Sequence, residues 1–208
     1  MVFLDILRAK EAVVLEHLRV GCLLMAAGSG SRFGGCKLQA ELDGKTLLER
    51  ALETIPDGVF EKIVVVTSPE LAGHVEGYPA EVCINDRPEE GLSRTVRLGT
   101  EQLMDCDGIL YLVSDQPLLV PSTVGRIVSA WRQQPERIAA ACHGGRRGNP
   151  CLFPKKLYGE LCSLTGDTGG SAVIKAHETL LLPVETDERE LTDVDTPETL
   201  HVLQQENS

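Results

Sequence analysis

No apolar run in the 208-residue chain approaches the roughly 20 residues that a membrane span requires. No secretory signal opens it either. Met1 to Val20 carries Asp5, Arg8, Lys10, Glu11, Glu16 and Arg19 among its apolar residues, so an uninterrupted hydrophobic core and a small-residue cleavage site are both missing. Positive charge is scarce. Twenty Lys and Arg stand against 31 Asp and Glu, a net charge of -11. A broad nucleic-acid surface, which rests on clustered Lys and Arg, is therefore excluded, and an anionic ligand would need a small local basic island. The seven cysteines form no C-x-x-C pair and are odd in number, which argues against a disulfide framework and a structural zinc site. Reduced thiols, no signal and no span together lead us to expect a cytoplasmic protein.

What is present has ordinary globular composition, with 42% hydrophobic and 25% charged residues. Short, nearly continuous apolar runs occur at Val20–Ala26, Ile63–Thr67, Ile109–Val113 and Ile138–Cys142. Runs of that length predict strands covered on both faces. Amphipathic segments at Thr46–Ile55, Ser93–Met104 and Ser122–Gln133 predict the helices between them, with Ser122 as an N-cap and Pro121 just outside. The alternation predicts an open, mostly parallel α/β sheet. Further on, Asn149–Phe153 reads as extended. Lys156–Leu164, Gly170–His177 and Pro197–Gln205 read as helices, and Leu180–Glu185 as a late strand. Residues 1–20 read as an N-terminal extension with an amphipathic helical pattern, and 21–208 as one domain.

In such sheets ligands sit beyond the carboxyl ends of the strands. The loop after the first strand runs Ala26, Ala27, Gly28, Ser29, Gly30, Ser31, Arg32, Phe33, Gly34, Gly35, Cys36, Lys37. Small residues let backbone N–H groups approach phosphate oxygens, and Arg32 and Lys37 add the positive charge that the composition otherwise withholds. The loop fits neither the dinucleotide fingerprint nor the P-loop pattern, since Phe33 and Leu38 stand at deciding positions. Asp115, in Ser114-Asp115-Gln116-Pro117, follows an apolar strand and could reach an ion in the crevice. Asp193 and Asp195 alternate along an extended stretch, so they could share a face. Asp195 is a second candidate metal contact, with Thr196 as the cap of the closing helix. Ser93 could cap its helix or hold a polar ligand there. Polar loops at 144–150 and 166–170 could hold a second substrate or merely turn the chain.

Taken in order, these motifs resemble the nucleotidyltransferase family that includes the molybdenum cofactor cytidylyl- and guanylyltransferases. The resemblance begins at Met25–Lys37 and continues through Gly91-Leu92-Ser93, Ser114–Pro117, Gly148-Asn149-Pro150, Gly166-Asp167 and Asp193–Pro197. The full set most resembles the cytidylyl branch. It implies a Rossmann-like nucleotidyltransferase fold, a mostly parallel sheet with helices on both faces, and transfer of CMP from CTP to molybdopterin with Mg²⁺ as cofactor. It implies nucleotide binding by Ala26, Ala27, Gly28, Ser29, Gly30, Ser31, Arg32, Lys37 and Ser93, and catalysis by Arg32, Lys37 and Asp115. Asp115 and Asp195 would hold the metal, and Asn149, Pro150 and Asp167 the acceptor. A molybdoenzyme would then be the recipient of the product. This chain departs from the family pattern at Ser114, Asn149, Thr95 and Gly170-Ser171. Competing expectations are nucleotidyl transfer to a sugar or isoprenoid phosphate, use of GTP, and a non-catalytic module that delivers cofactor.

Overall fold

The computed structural model describes residues 18–28, 33 and 35–206. The helical pattern expected before Leu18 lies outside the described residues. So do Ser29, Gly30, Ser31 and Arg32.

Among the described residues nine strands and six α-helices are formed. In chain order they are β1 (Val20–Ala26), β2 (Glu41–Leu42), β3 (Lys45–Thr46), α1 (Leu47–Glu53), β4 (Lys62–Thr67), β5 (Glu81–Ile84), α2 (Leu92–Gln102), β6 (Gly108–Val113), α3 (Pro121–Gln133), β7 (Ile138–His143), β8 (Arg146–Pro154), α4 (Tyr158–Ser163), α5 (Gly170–Ala176), β9 (Leu181–Glu185) and α6 (Pro197–Glu206). The main sheet has seven strands in the order β5-β4-β1-β6-β8-β7-β9. The β1–β4, β1–β6, β4–β5 and β7–β9 pairs are parallel, while β8 runs antiparallel to β6 and β7. This is the mostly parallel, doubly covered sheet that the apolar runs predict.

The two faces follow from the two-residue period of a strand. Along β1, Val20, Cys22, Leu24 and Ala26 enter one core with Leu47, Leu48 and Leu52 of α1, Val124, Ile127 and Trp131 of α3, and Leu200 and Leu203 of α6. Leu23 faces the opposite side, where it meets Val96 of α2 in a core that also holds Tyr158 and Leu161 of α4 and Val173 and Ile174 of α5. Helix α2 lies close against β1 because residue 99 is glycine. A Cβ there would stand 2.2 Å from Cδ1 of Leu23. Tyr111 is fully enclosed on this face. Its ring meets Phe153 edge-on at 5.3 Å, and its hydroxyl pairs with Thr100 at 2.7 Å, so burial leaves no polar atom of the ring stranded.

Several local expectations are corrected. Helix α3 begins at Pro121 itself, with Val120 as N-cap, and no side chain caps it. Proline suits the first helical position, because its fixed φ is helical and its missing N–H would be unpaired there anyway. Ser122 is therefore inside the helix. Helix α2 starts at Leu92 with Gly91 as N-cap, so Ser93 is not the cap. The small β2–β3 hairpin and β5 carry sequence signals too weak to stand out: two residues per strand in the first case, and an edge strand with Glu81, Val82 and Ile84 exposed in the second. Thr196 does cap α6, accepting from the Thr199 amide at 3.3 Å. All seven cysteines are free thiols, and Cys22, Cys106, Cys142 and Cys151 are buried. No helix among the described residues is long and apolar enough to cross a membrane.

Helix α1 opens on a capping box. The Thr46 hydroxyl accepts from the Glu49 amide at 3.1 Å, and the Thr46 amide donates to the Glu49 carboxylate at 2.7 Å. The Thr46 amide first, and second its hydroxyl, which also donates to the carboxylate at 2.9 Å, hold the Glu49 carboxyl below its usual range. A lowered carboxylate pKa contributes stability above the unfolded value and loses it as pH falls through the folded one. Thr46→Ala is expected to cost about 1 kcal/mol at neutral pH, with a smaller difference in acid. Urea melts of both proteins at the two pH values check this.

Candidate nucleotide site

Three parallel strands, β4, β1 and β6, end side by side. Met25 lies level with Val113 and with Val66, so the chain leaving β1 and the chain leaving β6 emerge together. The Ser114 hydroxyl donates to the Met25 carbonyl at 2.8 Å and ties the two strand ends to each other. This gives Ser114, a departure from the family pattern, a definite structural use. Beyond the ends lies a cavity of about 380 Å³. Its lining includes Ala27, Gly28, Lys37, Gly91, Thr95, Ser114, Asp115, Asp167 and Asp195.

Lys37 enters from a single turn of 3₁₀ helix, Lys37–Gln39, anchored by buried Leu38. The turn is closed by the Gln39 amide to Cys36 at 3.1 Å and the Ala40 amide to Lys37 at 3.1 Å. Its ammonium donates to Oδ2 of Asp115 at 2.9 Å and to Oδ1 of Asp195 at 3.4 Å. Two carboxylates from distant parts of the chain thus converge on one cation. The lysine side chain is 15% exposed and that of Asp115 27%, so solvent screens this pair less than at an open surface, while Asp195 is more exposed.

The structure brings some of the residues named from the sequence together at this cavity. Ala27, Gly28, Lys37, Asp115, Asp167 and Asp195 all line the cavity. Ala26 does not. It is wholly buried in the sheet, and its carbonyl accepts from the Thr67 hydroxyl at 3.2 Å. Ser93 is also buried off the cavity, with its backbone amide donating to the Gly166 carbonyl at 3.1 Å. That bond joins the two loops of the Gly91-Leu92-Ser93 and Gly166-Asp167 motifs. Asn149 and Pro150 belong to β8, outside the cavity lining. The β6–β8 pairing ends at Tyr111–Cys151, and since β8 runs antiparallel to β6, the residues before Cys151 lie toward the carboxyl end of β6, the same edge of the sheet. Asp193 and Asp195 do not act as a matched pair. Asp195 faces Lys37, whereas Asp193 accepts from the Gln116 amide at 2.9 Å. Desolvation, and next the charges of Asp115 and Asp195, push the Asp193 carboxyl above its usual range.

Two residues escaped the sequence reading. Asn85, almost fully buried, donates to the Thr95 hydroxyl at 3.1 Å and accepts from Nε of Arg94 at 2.9 Å. It fixes the wall of the cavity that Thr95 forms. Gln116 is buried beside Asp115 and reaches Asp193. The first has no motif around it. The second sits inside a noticed motif, but its partner lies far away in the sequence.

The chain matches the MobA-like NTP transferase domain over residues 22–180. It belongs to that nucleotidyltransferase family. Nicotine blue oxidoreductase of Paenarthrobacter nicotinovorans is 29% identical over 87% of this chain and 94% of its own. A probable molybdenum cofactor guanylyltransferase of Thermococcus kodakarensis is 29% identical over 53% of each chain. Among solved structures, Rv0371c of Mycobacterium tuberculosis superposes with a TM-score of 0.77 at 21% identity, covering 90% of this chain and 98% of that one. The likeness to Rv0371c supports the Rossmann-like nucleotidyltransferase fold.

The family match leaves the packing of the loops to be tested. Gly91 has φ +87°, a region that side chains avoid, and a Cβ there would lie 2.4 Å from the Gly166 carbonyl carbon and oxygen. Gly91→Ala is expected to destabilise the protein by about 1–3 kcal/mol and to displace the 166–167 loop. Denaturant melts measure the first, and faster amide exchange at Asp167 reports the second.

Proposed function

We propose that this chain transfers CMP from CTP to the phosphate of molybdopterin and releases pyrophosphate. The observation that carries the reading is the convergence of Asp115 and Asp195 on the Lys37 ammonium beside the glycine loop. The relative named as a molybdenum cofactor guanylyltransferase supports the class of acceptor. Ala27, which fills the place of a cavity wall next to Gly28, supports a pyrimidine over a purine.

Charge balance favours a divalent cation. Among the described residues lining the cavity, Lys37 is the one cation against Asp115, Asp167 and Asp195. A triphosphate entering so acidic a space must bring neutralising charge with it. Carboxylate oxygens from Asp115 and Asp195 suit Mg²⁺, which is commonly held by one or two carboxylates with substrate phosphates and waters completing its shell. The donor set fits that role and no fuller one: among the described residues no group of three or more His, Cys, Asp or Glu is arranged to hold a metal alone. Mg²⁺, when bound, supplies positive charge to the phosphate oxygens.

In this mechanism Gly28 and the loop that follows, with Ser29, Gly30, Ser31 and Arg32, offer amides and charge to the triphosphate. Lys37 leaves its carboxylates for the phosphates and neutralises charge that grows on the departing pyrophosphate. Asp115 and Asp195 would hold the metal, whose positive charge would serve the phosphate oxygens. An oxygen of the acceptor phosphate bonds to the α-phosphorus as the bond to the β-phosphate oxygen breaks. The acceptor is already an anion, so no residue must remove a proton. Positioning and electrostatics carry the reaction. Asn149, Pro150 and Asp167 lie at the edge where the acceptor would approach, and transfer of the product to a molybdoenzyme would follow. A second reading is prompted by the relative named nicotine blue oxidoreductase, which matches nearly its whole length: the same cavity would then serve another small heterocycle. Pyrophosphate release that depends jointly on CTP, Mg²⁺ and molybdopterin separates the two.

Lys37→Ala is expected to lower turnover at least about a hundredfold, on the scale of losing a key electrostatic contact. Asp115→Asn is expected to remove most activity and to raise the Mg²⁺ concentration needed for the remainder, which a Mg²⁺ titration reads directly. CTP should be used in preference to GTP, and Ala27→Gly should relax that preference. A side-chain difference of this size is worth about 10- to 200-fold in discrimination, so competition kinetics will resolve it. A higher kcat/KM for GTP in the unaltered protein overturns the choice of cytidine.

A further inference from the structure

Asp115 and Asp195 lie on different segments of the chain, and their separation is set by whatever joins the segments. Two hydrogen bonds do so. The Val194 amide donates to the Asp115 carbonyl at 2.8 Å, and Nε2 of Gln116 donates to Oδ1 of Asp193 at 2.9 Å. The bonds alternate along both chains. Residues 115 and 116 on one side meet 194 and 193 on the other, and Val194 between the two acids is fully buried. Gln116 is itself 4% exposed, and its Oε1 is buried without a partner among the described residues. A buried amide that leaves one end unpaired is costly to retain unless its other end is in use.

We propose that Gln116 and Asp193 are positioning residues: their bond straps the 193–195 segment to the end of β6 and fixes the distance between the Asp115 and Asp195 carboxylates for a divalent cation. The inference rests on the metal role proposed above and deepens it. Neither residue touches the ion. Gln116 acts through its neighbour Asp115, and Asp193 through Asp195 two residues on. Partners of this kind orient metal ligands, and their loss commonly weakens metal binding about ten- to a hundredfold.

Mn²⁺ alone is the probe, added to the full chain and followed by the electron paramagnetic resonance of the free ion, with and without CTP. Gln116→Leu and Asp193→Ala are each expected to weaken Mn²⁺ binding about ten- to a hundredfold. Asp193→Asn keeps an acceptor for Nε2 and gains a donor for the free Oε1. It should bind within about threefold of the unaltered protein, as a replaced neutral hydrogen bond allows. The double variant Gln116→Leu with Asp193→Leu exchanges the polar pair for an apolar one that preserves packing, and it should stay weak in Mn²⁺ while melting near the original temperature. Unchanged Mn²⁺ affinity in the single and double variants, with Asp115→Asn weakened, overturns the strap and leaves the metal site standing. Asp193→Asn as weak as Asp193→Ala overturns it too, because charge rather than the bond would then matter. Asp115→Asn without effect on Mn²⁺, or no Mn²⁺ binding by the unaltered protein in either condition, overturns both readings.

Discussion

The site depends on the pairing of β1 with β6. Parallel register across six residue pairs, from Val20 with Gly108 to Met25 with Val113, delivers two chain ends to one place. Parallel neighbours leave their carboxyl ends on the same edge, so the glycine loop and Asp115 need no further search to meet. Everything else is added to that edge. Lys37 comes from the glycine loop's far end, Asp195 from the approach to α6, and Gly91 and Gly166 from loops that lie against each other. The apolar runs that form β1 and β6 are buried on both faces, and this burial holds the register.

Electrostatics then decides what the edge can hold. A chain of net charge -11 has built a cavity where carboxylates outnumber the described cation. Lys37 is bound up with two of them at rest. Under the proposed transfer reaction, such a cavity would favour a triphosphate accompanied by a divalent ion over a bare one. On that reading the acidity would act as a filter on the form in which substrate enters. In the proposed reaction the same contacts would preorganise the site, since Lys37, Asp115 and Asp195 already hold one another.

The long apolar runs were legible in the sequence because their burial pattern is local: β1, β4, β6 and β7 all stand where such runs occur. The glycine loop, Lys37, Asp115 and Asp195 were legible as types of residue after a strand. Their convergence was not, because it depends on strand order. β8 shows the limit. The extended reading begins at Asn149 and leaves Arg146 to Gly148 in a loop, yet Arg146 and Arg147 pair with His143 and Cys142 of β7, so the strand starts three residues earlier. Ser93 misled for a related reason. A serine near a helix start is a sound capping signal, but the cap of α2 lies two residues earlier, at Gly91, and Ser93 is buried with its amide bonded to the Gly166 carbonyl. Asn85 and Gln116 escaped because buried polar partners are chosen in three dimensions.

β8 also divides the site into parts that can evolve at different rates. It is the one strand of the main sheet that runs toward its neighbours' amino ends, so its beginning, rather than its end, lies at the ligand edge. That beginning is reached through a tight turn at Gly144-Gly145, both with positive φ. A hairpin tip is closed by its own local bonds, so its length and sequence can drift without shifting the register of β1, β4 and β6. The same scaffold can therefore keep one nucleotide edge while the polar stretch from Arg146 to Asn149 is rewritten. Such a division suits a family whose relatives carry names as different as a guanylyltransferase and an oxidoreductase.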